Sequence, residues 1–150
     1  MSEHKASLVW ERGDKPFELK TYSRDHVVRF PNGIEYGASA APNYRGNPAL
    51  VDPESGLVAA LSSCHMLTFL AVAATKGFVV ERYEDDAVGH LEKNAQGRMA
   101  VTRVELRPRI AFGGDRQPAP ADLDALHHKA HEECFIANSV LTAVTVLPAA

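Results

Sequence analysis

Hydrophobic and polar positions follow two rhythms along this chain, and the change falls near residue 52. Before it, apolar residues alternate with polar ones in short runs: residues 5–11 (KASLVWE), 17–22 (FELKTY), 26–30 (HVVRF) and 34–36 (IEY). Such period-two segments predict short strands. Gly13-Asp14-Lys15-Pro16 and Pro31-Asn32-Gly33 supply hairpin-like turns between them. Residues 37–51 (GASAAPNYRGNPALV) carry too many glycines and prolines for regular structure and are read as a loop.

From residue 52 to 77 the alternation stops and one long apolar stretch begins, DPESGLVAALSSCHMLTFLAVAATKG. Asp52 suits an N-cap, Pro53 the first helical position, and Glu54 the positive end of the helix dipole. Lys76 in the last turn and Gly77 beyond it suit the other end. No Asp, Glu, Lys or Arg lies between Ser55 and Thr75, and Leu57, Leu61, Cys64, Met66, Leu67, Phe69, Leu70 and Val72 fall on more than one face. A helix apolar nearly all round is enclosed by protein or by lipid. Its length approaches the roughly 20 residues of a membrane span. However, Ser62, Ser63, Cys64 and His65 form a polar cluster at mid-depth and no basic cluster flanks the stretch. The reading is a core helix, with no membrane partner.

Beyond it, residues 78–81 and 88–92 read as one long strand or two. A turn at 94–97 (NAQG) leads into an alternating strand over 99–112, with Pro108 marking an edge or bulge. A loop at 113–120 precedes a second helix over 120–134, whose Leu123, Leu126 and Ala130 are spaced for one buried face. Residues 135–141 continue it with a kink or start a short second piece, and 142–147 form a last strand. Strands, helix, strands, helix, strand is an α+β order, helices segregated against antiparallel sheet.

The 150 residues make one domain, or a subunit that completes its core by dimerising. Composition is ordinary globular, 45% hydrophobic and 23% charged. A formal charge of −3 and the lack of a basic face give no case for nucleic acid. The N-terminus shows no secretory or myristoylation pattern, so a cytoplasmic location is expected.

The chemistry rests on two cysteines, Cys64 and Cys134, 70 positions apart. In a reducing compartment they are inert core thiols, metal ligands or redox groups, and spacing alone does not choose. Free cysteine commonly packs as a small hydrophobe. Their polar company, Ser62, Ser63 and His65 around one and His131-Glu132-Glu133 before the other, argues for more than packing.

The segment PESGLVAALSSC, with Glu54 ten positions before Cys64, resembles the central-helix motif of the OsmC/Ohr family of organic hydroperoxide reductases. HEECFIANSVL resembles that family's second-cysteine segment, and the element order agrees along nearly the whole chain. The likeness is nearer to OsmC-like proteins than to the Ohr branch. It implies an OsmC-like fold, antiparallel sheets around a long buried central helix, assembled as an intertwined homodimer. It implies a thiol peroxidase acting on organic hydroperoxides: Cys64 the peroxidatic thiolate, Cys134 the resolving thiol, and a dithiol, typically lipoyl-type, as reductant, with no cofactor.

The thiolate is the nucleophile, and an ordinary cysteine with pKa ~8.5 is mostly protonated at neutral pH. The resemblance implies an arginine held by a glutamate to favour ionisation and the departing oxyanion. Glu54 matches the glutamate. Arg45 is the preferred arginine, with Arg24 and Arg29 open. Tyr44, Met66, Phe69 and Phe135 are available to line an apolar entrance for substrate. Gly56 and His65 depart from the family pattern, which bears on substrate range and reductant more than on the reaction.

Two further readings follow from spacing. Glu54 and Cys64 stand about 15 Å apart along a helix, at ~1.5 Å per residue, too far for a glutamate to span. If both serve one site, that site draws on two subunits. His127, His128 and His131 have spacing that can hold zinc, but no second ligand cluster is convincing, so a solvated helix face is expected and no metal. The alternative to an enzyme is a non-enzymatic protein of the same fold that binds small apolar ligands.

Overall fold

The computed structural model describes residues 1–147. They group into two compact units, Met1–Gly56 and the chain from Leu57 onward.

The first unit is a three-stranded antiparallel sheet, β1 (Ser7–Val9), β2 (His26–Arg29) and β3 (Glu35–Ala38), in that order. Leu8 faces Val28, and Val27 faces Gly37. The β2–β3 turn closes as Asn-Gly predicts: Gly33 adopts φ +83° and its N–H donates to the Phe30 carbonyl at 3.0 Å. The strand expected over residues 17–22 is absent. There the Thr21 and Tyr22 N–H groups both donate to the Glu18 carbonyl and the Thr21 hydroxyl donates to the Pro16 carbonyl, so local turn bonds win. Phe17 and Tyr22 instead pack with Trp10, ring centroids 5.2–6.2 Å apart.

The loop after β3 is held by hydrogen bonds. Asp25 accepts from the Ser39 hydroxyl at 2.9 Å and from the Asn47 side-chain amide at 3.1 Å, and the Ser39 hydroxyl accepts from the Asn47 N–H. A 3-10 turn at Pro42–Tyr44 leads to Arg45, whose φ of 63° is left-handed. Gly46 follows because a Cβ there would meet the Ala40 carbonyl oxygen at 1.5 Å.

Helix α1 (Pro53–Thr75) has the expected ends. Asp52 accepts from the Ser55 N–H at 2.9 Å and from the Ser55 hydroxyl at 2.8 Å. At the C-terminus Gly77 is left-handed and the Phe78 N–H reaches back to the Ala73 carbonyl at 3.0 Å, a Schellman closure.

The second unit contains β4 (Val79–Asp85), β5 (Val88–Lys93), β6 (Met99–Leu106), β7 (Pro108–Gly113), α2 (Pro120–Glu133), a 3-10 turn at Ala137–Ser139 and β8 (Ala143–Val146). β4 pairs antiparallel with β7, and β5, β6 and β8 form a second sheet. Two features differ from the sequence reading. Residues 99–112 are two strands in different sheets, parted at Arg107, because Pro108 cannot continue the ladder as a donor and Asp85 takes the Arg107 N–H at 2.6 Å. The last strand, β8, pairs parallel with β6, Val104 opposite Val144, since α2 carries the chain back across before it re-enters the sheet.

Two clusters form the core of this unit. Phe69, Ala73, Phe78, Leu126 and Ala130 make one; Leu61, Val104 and Leu106, with Val144 and Val146 against them, make the other. α1 joins them through one inner stripe, Leu61, His65, Phe69 and Ala73, at a strict four-residue spacing. By length and composition α1 could cross a membrane; here that stripe makes it a core helix. The expectation of burial all round is corrected. A single chain covers the inner stripe and leaves Ala60, Ser63, Leu67, Ala71 and Ala74 exposed.

Candidate functional site

Cys64 sits at mid-helix on α1, half-buried, and Cys134 is the residue that ends α2, buried to 1% exposure. α2 stops at Glu133 because Cys134 turns extended (φ −70°, ψ 111°) while its N–H still reaches the His131 carbonyl. The following 3-10 turn brings the Ala137 N–H to Cys134 Sγ at 3.4 Å. Both cysteines are free thiols, and Cys64 is near enough to Cys134 to bear on its ionisation. Burial, then the neighbouring Cys64 thiol, pushes the Cys134 thiol above its ordinary range, with the Ala137 N–H opposing. Two residues 70 positions apart in the sequence are thus close enough for one thiol to influence the other.

The other predicted residues are placed as follows. Glu54 lies in the first turn of α1, and its Oε2 is enclosed with no hydrogen-bond donor. Arg45 is exposed and makes no ion pair among the described residues. Arg24 is committed to its own unit, donating to the Tyr22 and Leu19 carbonyls and lying 3.6 Å over the Tyr22 ring. Arg29 is paired with Glu35 at 2.6 Å. Of the three arginines, Arg45 is the one whose guanidinium has no partner among the described residues. Tyr44 is 50% exposed and Phe135, directly after Cys134, 80% exposed; Met66 is half-buried. Phe69, expected at an entrance, has no exposed surface. It lies on the inner stripe of α1 and packs against Tyr83, Phe112 and His127.

Sequence reading overlooked a buried imidazole pair. His65 Nε2 meets His127 Nδ1 at 3.1 Å, with the rings near parallel, and His65 is 1% exposed. The signal was present: His127 falls between Leu126 and Ala130, at the edge of the buried stripe of α2. His65 is pushed down to about 4, first by burial and then by His127 and His131. Burial also lowers His127, with Asp124 and Asp85 opposing. On the same side of α1 the Ser62 hydroxyl donates to Asp85, and the Tyr83 hydroxyl is buried without a partner. His128, more exposed, instead meets Glu132 at 3.2 Å. The α2 histidines therefore point to different tasks, and among the described residues no three His, Cys, Asp or Glu side chains converge as a metal site.

A histidine neutral when folded and ordinary when unfolded makes stability rise with pH between the two values. Between pH 7 and pH 5 the unfolded chain takes up a proton at His65 that the folded chain refuses until about 4. Unfolding free energy should fall over that interval by up to about 2 kcal/mol from His65 alone. Urea titrations at pH 7 and pH 5 check this, and His65→Leu should flatten the slope; an unchanged slope would contradict it.

These features define an α+β protein with one free thiol on its central helix and a second at the end of its second helix. The OsmC-like protein family model matches residues 46–147, and the chain belongs to that family. No curated protein sequence matches. Among solved structures, an OsmC-like protein of unknown function from Vibrio cholerae is 47% identical, with a TM-score of 0.91 and 99% of each chain covered. An organic hydroperoxide resistance protein OsmC from Legionella pneumophila is 16% identical, with a TM-score of 0.75, covering 100% of this chain and 98% of its own. The organic hydroperoxide resistance protein OhrB of Bacillus subtilis is 16% identical with a TM-score of 0.67, covering 99% and 97%. The last two share the fold.

Proposed function

We propose that this protein is a thiol-dependent peroxidase that reduces organic hydroperoxides to alcohols. The observation that carries the reading is that two free thiols 70 positions apart, Cys64 and Cys134, are near enough for one to raise the other's pKa. The Cys64 thiolate attacks the terminal oxygen of R–O–OH; the S–O bond forms as the O–O bond breaks, and the alkoxide takes a proton and leaves as R–OH. The Cys134 thiol then attacks the Cys64 sulfenic acid, the S–S bond forms and water departs. An external dithiol of the lipoyl type returns both thiols by two exchange steps. Arg45 supplies the cation that favours the thiolate and the developing oxyanion, with Glu54 to hold it once a second chain completes the site. Tyr44, Met66 and Phe135 line the approach. Names of fold relatives that are organic hydroperoxide resistance proteins support this class of substrate.

The working unit in this proposal is a homodimer in the cytoplasm, where thiol reductants are available. Glu54 has an enclosed carboxylate oxygen lacking a donor, and α1 exposes an uncharged stripe, Ala60, Ser63, Leu67, Ala71 and Ala74, at heptad-like spacing. A second chain would cover the stripe and bring further groups to Glu54.

The test is thiol titration before and after one equivalent of cumene hydroperoxide, with mass spectrometry of the linked peptides. Loss of two thiols per chain and a Cys64–Cys134 crosslink is the expected result. Retention of both thiols would overturn the proposal and leave a passive binder of apolar ligands as the better account.

A further inference from the structure

A second site lies apart from the thiols. A cavity of about 560 Å³ runs between α2, β7 and β8, and neither cysteine lines it. That volume falls within the usual range of small-molecule pockets, roughly 300–1,000 Å³. Its apolar part is made by Ile110, Leu123, Val144 and Val146, and its polar wall by Asp124, His127 and two further histidines of α2.

The polar wall has a definite hydrogen-bonding character, set by the buried pair behind it. His65 Nδ1 is enclosed with no partner among the described residues. If His127 donated to His65, the His65 proton would sit on that nitrogen as an orphaned buried donor, the costlier arrangement. The better tautomer has His65 Nε2–H donating to His127 Nδ1. His127 then carries its own proton on Nε2, the remaining polar atom of a ring that lines the cavity. The wall therefore offers an N–H donor beside the carboxylate acceptor of Asp124.

We infer that this cavity binds a neutral apolar molecule bearing one hydroxyl group, an alkanol or alkylphenol. A hydroxyl can accept from His127 Nε2–H and donate to Asp124 at once, while its alkyl body lies on Ile110, Leu123, Val144 and Val146. A carboxylate of the same length meets the like charge of Asp124. An ammonium can donate to Asp124 but has no lone pair with which to accept from His127 Nε2–H, so that donor is left unmatched. Uncharged ligands thus match the site better than either ion.

The experiment titrates 1-octanol, octanoate and octylammonium into the full chain at pH 7.5, read by methyl chemical shifts. 1-Octanol should bind saturably with Kd on the order of 1 mM or tighter, by typical ligand efficiency for so few atoms, and shift Ile110, Leu123, Val144 and Val146. Octanoate and octylammonium should each bind at least about ten-fold more weakly. Asp124→Asn, at an exposed position, should bring octanoate to within about three-fold of 1-octanol. Leu123→Trp should fill the cavity and abolish binding with circular dichroism and Cys64 oxidation unchanged. The inference is overturned if 1-octanol gives no saturable shift, if either ion binds as well as the alcohol, or if folded Leu123→Trp still binds it.

Discussion

Cys64→Ser should lower kcat/KM for cumene or tert-butyl hydroperoxide by at least ~10³-fold. A serine hydroxyl keeps the size of the group but ionises far less readily and is a poor nucleophile toward peroxide oxygen, so the first bond-making step is lost. Cys134→Ser should behave differently. Its first step is intact, so one equivalent of peroxide per chain is consumed and turnover then stalls with Cys64 as a sulfenic acid, trapped by dimedone. The environment of Cys134 gives this split its physical basis: burial and the neighbouring Cys64 thiol raise its pKa and favour the protonated form, the state expected of a group that waits for its partner to be oxidised. A Cys64→Ser enzyme retaining more than a tenth of the rate would remove Cys64 from the chemistry. Equal loss without the single turnover in Cys134→Ser would assign Cys134 a packing role.

The parts of the fold that local chemistry controls were legible in the sequence. Asp52 and Gly77 mark the ends of α1 through bonds to residues within five positions, and Asn32-Gly33 marks its turn in the same way. What escaped depends on distant partners. The break at Arg107 needs Asp85, 22 positions earlier, to receive a backbone N–H. The parallel entry of β8 beside β6 is settled by where α2 delivers the chain. Residues 17–22 alternate like a strand, yet turn bonds at Glu18 and Thr21 decide their path. The candidate site divides in the same manner. Cys64 and Cys134 drew attention by their polar neighbours and the family likeness, but no spacing rule pairs residues 70 apart. The bond between His65 and His127, 62 positions apart, was hidden because each histidine read singly as an ordinary helix residue.

Leu67→Glu should convert a dimer to monomers and carry most peroxide reduction away with it. Leu67 is 60% exposed in the single chain, at the centre of an uncharged stripe on the longest helix. Alanine and serine on either side leave room for a second helix to approach closely, so Leu67 would fill the main space between them. Covering such a leucine is worth about 1.5–3 kcal/mol, and a two-fold interface counts it twice. A glutamate there replaces that gain with two like charges facing each other across an apolar seam, and the pair costs more than the leucines contributed. The substitution is on the outer face of α1, away from Leu61, His65, Phe69 and Ala73, so circular dichroism of the chain should stay that of a folded protein. Sedimentation velocity should show two chains for the native sequence and one for the variant. Loss of activity alongside loss of the dimer would mean that the site is incomplete in one chain, in keeping with the enclosed, donorless oxygen of Glu54. A native protein that sediments as one chain with full activity would refute both the dimer and the shared site.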